Sequence, residues 1–343
     1  MIPSRKSKAV GLFSGGLDSI LAARLVTEQG VDAVALHFRV PFGAPGRPSS
    51  EAKLKRLAEL AGAGLLSVEV GDDYFDVVRN PEHGYARFMA PCIDCMLYML
   101  AKARELAKQI DADFIFTGEV VGQRSRCQNK RSLRIIEQVS GIGGRLLRPL
   151  SAKLLEPTIP ELTGLIRRER LLDLKGRGRR RQMRLAHEFG IIEYSPPTGG
   201  CMLIDKQFSA RVRDAVEHDE LSRSGIDLLG TGRHFRLESG SRLVVGRNRR
   251  ENQRLEELVR EGDTVCRPVD VMGPVVVLHG SDDREADALL AARVCARYSD
   301  GEAGQPVKVD CGGEVAEVEP AEEDKLADWR IQAAEEKEPI DVE

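Results

Sequence analysis

Three groups of residues have types and spacings that could do chemistry. The first is Ser14-Gly15-Gly16-Leu17-Asp18-Ser19, set between the apolar run Ala9-Val10-Gly11-Leu12-Phe13 and the stretch Ile20-Leu21-Ala22-Ala23-Arg24-Leu25-Val26. The apolar run reads as a buried strand and the following stretch as a helix, so the glycines fall at a strand-to-helix turn. Glycine admits left-handed backbone angles, and a helix N-terminus offers unsatisfied N–H groups and positive potential, so such a turn can hold an oxyanion. Phosphate is the natural occupant. Ser14 and Ser19 add hydroxyl donors, whereas Asp18 beside a polyanion is repelled unless it caps the helix or holds a magnesium ion. An ordinary tight turn would explain two glycines, but not the flanking hydroxyls and carboxylate. The Gly-x-x-x-x-Gly-Lys-Ser/Thr spacing of a Walker A loop is absent.

The second group is made of thiols. Cys92 and Cys95 lie in Pro91-Cys92-Ile93-Asp94-Cys95, ahead of a helix expected over 96–109. Residues three apart share a face in the first turn, and the helix dipole is expected to lower both thiol pKa values. A structural zinc site would want a second ligand pair, and no second Cys-x-x-Cys or His-x-x-x-His exists. Cys201, in the glycine-bearing turn Thr198-Gly199-Gly200-Cys201 after Pro196-Pro197, could join the pair. Three thiolates suit an iron–sulfur cluster that leaves one iron without a protein ligand. Of the seven cysteines, Cys127, Cys266, Cys295 and Cys311 have no such company and read as structural or incidental. An odd count without regular spacing argues against a disulfide framework and for a reducing compartment.

The third group is a basic run. Nine lysines and arginines fall within 167–184, and Arg177, Arg179, Arg180, Arg181 and Arg184 crowd its end. A solvated helix face is one explanation. Mutual repulsion relieved by a nucleic-acid backbone is the other, and it marks these five arginines as candidate RNA contacts.

These groups need elements to position them. Residues 31–38, 65–70 and 113–118 read as further strands, and 50–63 and 101–109 as helices. Short apolar strands alternating with helices imply an α/β fold with a doubly wound parallel sheet, whose ligand lies at the strands' carboxyl ends. That places Ser14, His37, Phe38, Gly118 and Glu119 around one crevice. With 343 residues, the chain is long enough for two or three domains. Boundaries are expected at 1–155 for the α/β domain, 156–228 for a basic helical segment carrying Cys201, 229–312 for a small α+β domain and 313–343 for a disordered acidic tail. That tail holds twelve acidic and three basic residues, so its net charge of −9 within a total of −3 leaves +6 on residues 1–312. No stretch approaches the roughly 18 apolar residues that span a bilayer, and the N-terminus lacks an apolar signal core. A cytoplasmic protein without membrane contact is expected.

Ser14–Ser19 closely resembles the PP-loop of the ATP pyrophosphatase family, with its adenine nucleotide alpha hydrolase-like fold. The resemblance implies cleavage of ATP between its α and β phosphates, adenylating an acceptor and releasing pyrophosphate. A PP-loop followed by Cys92-x-x-Cys95 and then Cys201 is similar to the tRNA thiouridine synthases. Gly118 to Arg124, Gln128-Asn129, Arg148 to Lys153 and Gly199 to Leu203 resemble a thiouridylase-like branch of them. Arg233-His234-Phe235-Arg236 and Val245-Gly246-Arg247-Asn248 resemble an NFACT-R type module. Uridine-8 thiolases of this superfamily carry RNA-binding modules before the PP-loop, whereas few residues precede the first strand in this sequence. RNA grip is therefore expected from the basic segment or the C-terminal module.

The resemblance implies a 4Fe-4S cluster on Cys92, Cys95 and Cys201, with these cysteines and Asp18 catalytic. It implies ATP and Mg2+ at Ser14, Gly15, Gly16, Asp18 and Ser19. Glu119 and Lys153 are candidate polar groups around ATP, and His37 or Phe38 could flank the adenine. The expected reaction is tRNA thiolation: a uridine carbonyl oxygen attacks the α-phosphate, and a sulfur nucleophile then displaces AMP. Sulfur would come from a sulfide or persulfide donor. Without a cluster, Cys201 could carry a persulfide and another cysteine resolve it. Two rivals are a sulfur insertase acting on a small molecule and a non-catalytic RNA-binding protein. A homodimer is compatible with the sequence.

Overall fold

A computed structural model of the chain describes residues 5–43, 50–124, 126–194, 200–280, 283–302 and 304–333. The chain divides into two compact units, Met1–Ile204 and Asp205–Glu343. No helix of the described residues is long and apolar enough to cross a membrane.

In the first unit, β1 (Lys8–Leu12), β2 (Asp32–Arg39), β3 (Gly64–Glu69), β4 (Phe114–Phe116) and β5 (Leu146–Leu147) form a parallel sheet ordered β3-β2-β1-β4-β5. Val10 of the central strand faces Val34 on one side and Ile115 on the other. Strand order reverses between β1 and β4, which is where a doubly wound sheet opens a crevice at its carboxyl edge. The helices are α1 (Leu17–Thr27), α2 (Glu51–Leu60), α3 (Asp73–Arg79), α4 (Cys92–Gln109), α5 (Lys130–Val139), the single turn α6 (Ile159–Leu162) and α7 (Arg180–Glu188).

Helix α1 buries Leu17, Ile20, Leu21, Ala22, Ala23, Leu25 and Val26. A helix apolar nearly all round needs cover on both sides. The sheet supplies one cover through Ala9, Ala33 and Ala35, and the other comes from Leu185, Ala186 and Phe189 at the end of α7. Covering α1 in this way brings Arg179, the N-cap of α7, to the turn after β1. Glycine serves close packing at one point of the sheet: a Cβ on Gly11 would lie 2.1 Å from the Phe116 ring.

The second unit contains α8 (Lys206–Glu217), α9 (Ile226–Leu229), β6 (Arg233–Arg236), β7 (Arg242–Val245), α10 (Arg249–Leu258), β8 (Thr264–Pro268), β9 (Val276–His279), α11 (Arg284–Arg297), β10 (Val307–Cys311), β11 (Glu314–Val318) and α12 (Glu323–Trp329). Its antiparallel sheet runs β11-β10-β8-β9-β7-β6. Phe235, Leu243 and Val276 pack there against Ala291, Val294 and Cys295 of α11.

Three expectations change. Residues 156–228 are not a continuous helical segment: positive φ at Gly164, Gly176 and Gly190 divides them into short helices and turns. The acidic stretch from 313 is structured as far as residue 333 is described. β11 pairs with β10, and Val318, Ala321 and Leu326 are buried enough to anchor it. Its glutamates sit on an edge strand, where charge is tolerated and blocks further pairing. Finally, Cys266 and Cys311 are bonded as a disulfide, because strand register places them opposite each other across 45 residues of chain.

Replacing Gly11 by Ala should destabilise the protein by about 1–3 kcal/mol, since the Phe116 ring must move. Gly64→Ala, a strand position with open space around it, should cost little. Urea midpoints of the two variants check this.

Candidate functional site

The turn after β1 is built as an anion cradle. Gly15 takes a φ of 70°, and Gly16, the α1 N-cap, has no side chain to occupy the N–H groups of the first turn. Ser14 Oγ accepts from Gly16 N–H at 3.3 Å, and Ser19 Oγ donates to the Gly16 carbonyl at 2.8 Å. Those bonds shape the turn without using the N–H groups of residues 17–19. Asp18 Oδ2 accepts from Gln123 Nε2 at 2.9 Å and faces Arg179 at 3.7 Å. Its Oδ1 is buried without a partner among the described residues. Buried carboxylate oxygen demands a donor or a cation, so Asp18 fits a magnesium ion beside a nucleotide.

The exit of β4 passes against this turn. A Cβ on Gly118 would stand 2.7 Å from Ser19 N and 2.8 Å from the Asp18 carbonyl carbon. Gly118 therefore serves close backbone approach. Glu119 is buried; Thr117 Oγ1 and Arg148 Nε each donate to its Oε2 at 3.0 Å, and Arg148 also binds Glu137 at 3.0 Å. His37 Nδ1 donates to the Phe13 carbonyl at 2.8 Å. A carbonyl only accepts, so the proton sits on Nδ1.

Ser14, Gly16, Asp18, Ser19, His37, Gly118, Glu119 and Gln123 line one cavity of about 550 Å³, and the thiols line the same cavity. Cys92 and Cys95 both lie in the first turn of α4, where Cys95 N–H donates to the Pro91 carbonyl at 2.8 Å. Cys95 Sγ lies 3.1 Å from Tyr74 Oη. Tyr74 is packed edge-on to Tyr98 at 5.3 Å, and burial followed by the neighbouring thiols pushes its hydroxyl well above the usual range. Cys201 follows Gly200, whose φ is 64°, and is pinned by a Gly43 bridge and a Met202 N–H bond to the Phe42 carbonyl at 2.9 Å. Residues 195–199, including Pro196-Pro197, Thr198 and Gly199, lie outside the described residues.

Sequence spacing hides one cavity thiol. Cys127, expected to be incidental, hydrogen-bonds Cys92 and lines the cavity. Its only sequence signal is its place on the segment that also carries Gly118 and Glu119. The expected lowering of the Cys92 thiol by the helix dipole is not what the geometry gives. Hydrogen bonding to Cys127 and then burial push Cys92 up, while Cys92 as donor holds Cys127 down, aided by Arg124. Among the described residues, the group of three or more ligand atoms within 4.8 Å of one another is Glu82, His83 and Asp94, so no three sulfurs converge on one small ion.

Two nucleotide or RNA expectations also shift. Lys153 is exposed and donates from Nζ to the Glu169 carbonyl at 2.8 Å, away from the cavity lining. The arginine run is split: Arg177, itself exposed, and the half-buried Arg179 line the cavity, whereas Arg180, Arg181 and Arg184, exposed on α7, do not. Phe38 and His37 line it as well.

Comparison with known proteins places relatives on both units. Residues 4–154 match the family described as thiamine biosynthesis protein (ThiI), and residues 232–330 match the NFACT protein RNA binding domain. A probable tRNA sulfurtransferase of Methanocaldococcus jannaschii is 30% identical over 152 residues, covering 42% of this chain and 37% of that protein. One from Finegoldia magna is 31% identical over 147 residues, covering 41% and 35%. The chain thus spans little more than a third of these relatives. A crystal structure of a 4-thiouridine synthetase–RNA complex with bound ATP aligns at 20% identity and a TM-score of 0.37, over 65% of this chain and 52% of that one.

At neutral pH, iodoacetamide should label Cys127 of the cluster-free protein faster than Cys92. Cys92→Ala removes the donor, so the Cys127 pKa rises and its labelling slows severalfold. Peptide mass spectrometry reads both rates, and an unchanged Cys127 rate would contradict the hydrogen bond from Cys92 as the cause of its lowered pKa.

Proposed function

We propose that this chain, whose residues 4–154 match the ThiI family, is an ATP-dependent tRNA sulfurtransferase that replaces a uridine carbonyl oxygen by sulfur. The observation that carries this is the single cavity lined by both the phosphate loop and the thiols Cys92, Cys95, Cys127 and Cys201. Activation and sulfur delivery must act on the same carbon, so both sets of groups have to reach one space.

In the first half-reaction the uridine carbonyl oxygen attacks the α-phosphorus of ATP. The P–O bond to pyrophosphate breaks, and the oxygen becomes part of an adenylate leaving group. N–H groups of the Ser14–Ser19 turn hold the phosphates, and the Asp18 carboxylate suits the accompanying magnesium ion. His37 and Phe38 supply wall for the nucleoside. In the second half-reaction a sulfur nucleophile adds to the activated carbon, and AMP departs with the original oxygen. The thiolates of Cys92, Cys95 and Cys201 fit a 4Fe-4S cluster by donor type. When bound, such a cluster supplies an iron that can present sulfide. Tyr74 orients Cys95, and the buried Glu119–Arg148 pair stiffens the wall. The RNA-binding match at 232–330 and the exposed arginines of α7 support tRNA as acceptor. A small-molecule acceptor would need neither.

Anaerobic protein mixed with ATP, magnesium, sulfide and unmodified tRNA should release AMP and pyrophosphate in step with a thiolated nucleoside. Asp18→Asn should slow AMP formation by about 10²-fold, and Cys201→Ala should abolish thiolation. Nucleoside mass spectrometry and nucleotide chromatography read these outcomes. AMP release without any thiolated nucleoside would count against tRNA thiolation, and protein that holds no iron or sulfide after reconstitution would count against the cluster.

A further inference from the structure

The arginine run reads from its sequence as one RNA-contacting surface, yet the fold separates its members. Arg179 occupies the N-cap position of α7, lines the cavity and faces Asp18 Oδ2 at 3.7 Å. That oxygen already accepts from Gln123 Nε2 at 2.9 Å, so Arg179 is not what satisfies it. Arg179 Nε is buried without a hydrogen-bond partner among the described residues. A buried guanidinium nitrogen left in that state calls for an acceptor that arrives with a ligand. Arg177 lines the same cavity. Arg180, Arg181 and Arg184, by contrast, do not line it: all three are exposed, and Arg181 pairs with Asp173 at 2.6 Å.

Charge in the cavity points the same way. No lysine is found among its described lining residues, and its permanent cations are Arg124, Arg177 and Arg179. Arg124 acts on Cys127, at the thiol end. A triphosphate held by backbone N–H groups beside the Asp18 carboxylate needs fixed positive charge at the loop end, and Arg179 stands there. Its planar fork can bridge two phosphate oxygens, which a lysine in the same place could not.

We infer that Arg179, with Arg177 beside it, is a ligand of the nucleotide's phosphates, and that the run is divided between two ligands: these two arginines serve ATP, while Arg180, Arg181 and Arg184 face the RNA. The inference rests on the proposed ATP use of this cavity. Packing α7 over α1 is what delivers the division, because the same helix that covers α1 carries Arg179 to the α1 N-terminus.

The test is calorimetric titration of the full-length protein with the magnesium complex of α,β-methylene-ATP, in the absence of tRNA. Arg179→Ala should weaken binding by about ten- to hundredfold, the loss of one or two charge-assisted hydrogen bonds. Arg179→Lys keeps the charge without the fork and should fall between, which guards against a variant that simply fails to fold. Arg180→Ala/Arg181→Ala should bind the nucleotide within about twofold of the parent and lose tRNA affinity instead, with a shallower salt dependence. Nucleotide binding by Arg179→Ala within twofold of the parent would overturn the inference and leave ATP use standing. Equal losses in the Arg179 and Arg180/Arg181 variants would also overturn it, pointing to a general field of positive charge. A parent protein that does not bind the nucleotide would sink ATP use itself, and the inference with it.

Discussion

Everything in this cavity depends on how closely the chain leaving β4 passes the N-terminus of α1. Gly118 lies so near the Asp18–Ser19 backbone that even a methyl group there would collide with main-chain atoms. Backbone cannot yield as a flexible side chain can, so glycine is fixed at this position by contact alone. The consequence is reach. From Gly118 onward, one loop carries Gln123 to Asp18 at the phosphate end and Cys127 to Cys92 at the thiol end. Two chemistries that lie far apart in sequence share one wall because of that approach.

Around this contact the protein spends buried polar groups in specific pairs. Glu119 and Arg148 are each about 5% exposed or less, and Glu137 completes their set. Removing one partner of such a pair leaves a buried charge uncompensated, at a cost of about 3–5 kcal/mol. The pair therefore fixes the loop rather than offering a mobile acid or base. Behind the thiols, Phe42, Phe75, Tyr74 and Tyr98 make edge-on aromatic contacts that hold the Cys95 and Cys201 segments in place. A rigid, partly desolvated wall suits a reaction in which a leaving group and a sulfur nucleophile must meet at one carbon before water does.

Much of this was legible in the chain. The central strands, α1 and the phosphate turn follow from local signals: an apolar run, two glycines and a helix-forming stretch. Cys92 and Cys95 were visible as a pair because one helical turn defines their relation. What stayed hidden is what through-space contact decides. Cys127 has no spacing relation to Cys92; only the passage of Gly118 past α1 joins them. Arg179 and Arg181 are two residues apart and look alike in sequence, yet the packing of α7 on α1 sends one to the cavity and leaves the other in solvent. Membership of Lys153 in a resembling segment says nothing about where Nζ goes, which is the Glu169 carbonyl. In the second unit, glutamates masked a strand that Val318 and the β10 register fix, and the Cys266–Cys311 pairing follows from that same sheet.

The central claim is that the oxygen leaving uridine leaves on AMP. Transcribed tRNA whose uridine carbonyls carry oxygen-18, incubated anaerobically with the protein, ATP, magnesium and sulfide, tests it directly by mass spectrometry of the released nucleotide. Each AMP formed with a thiolated nucleoside should carry one labelled oxygen in its phosphate. Unlabelled AMP accompanying thiolated RNA would show that sulfur enters without adenylation of the base and would contradict the mechanism.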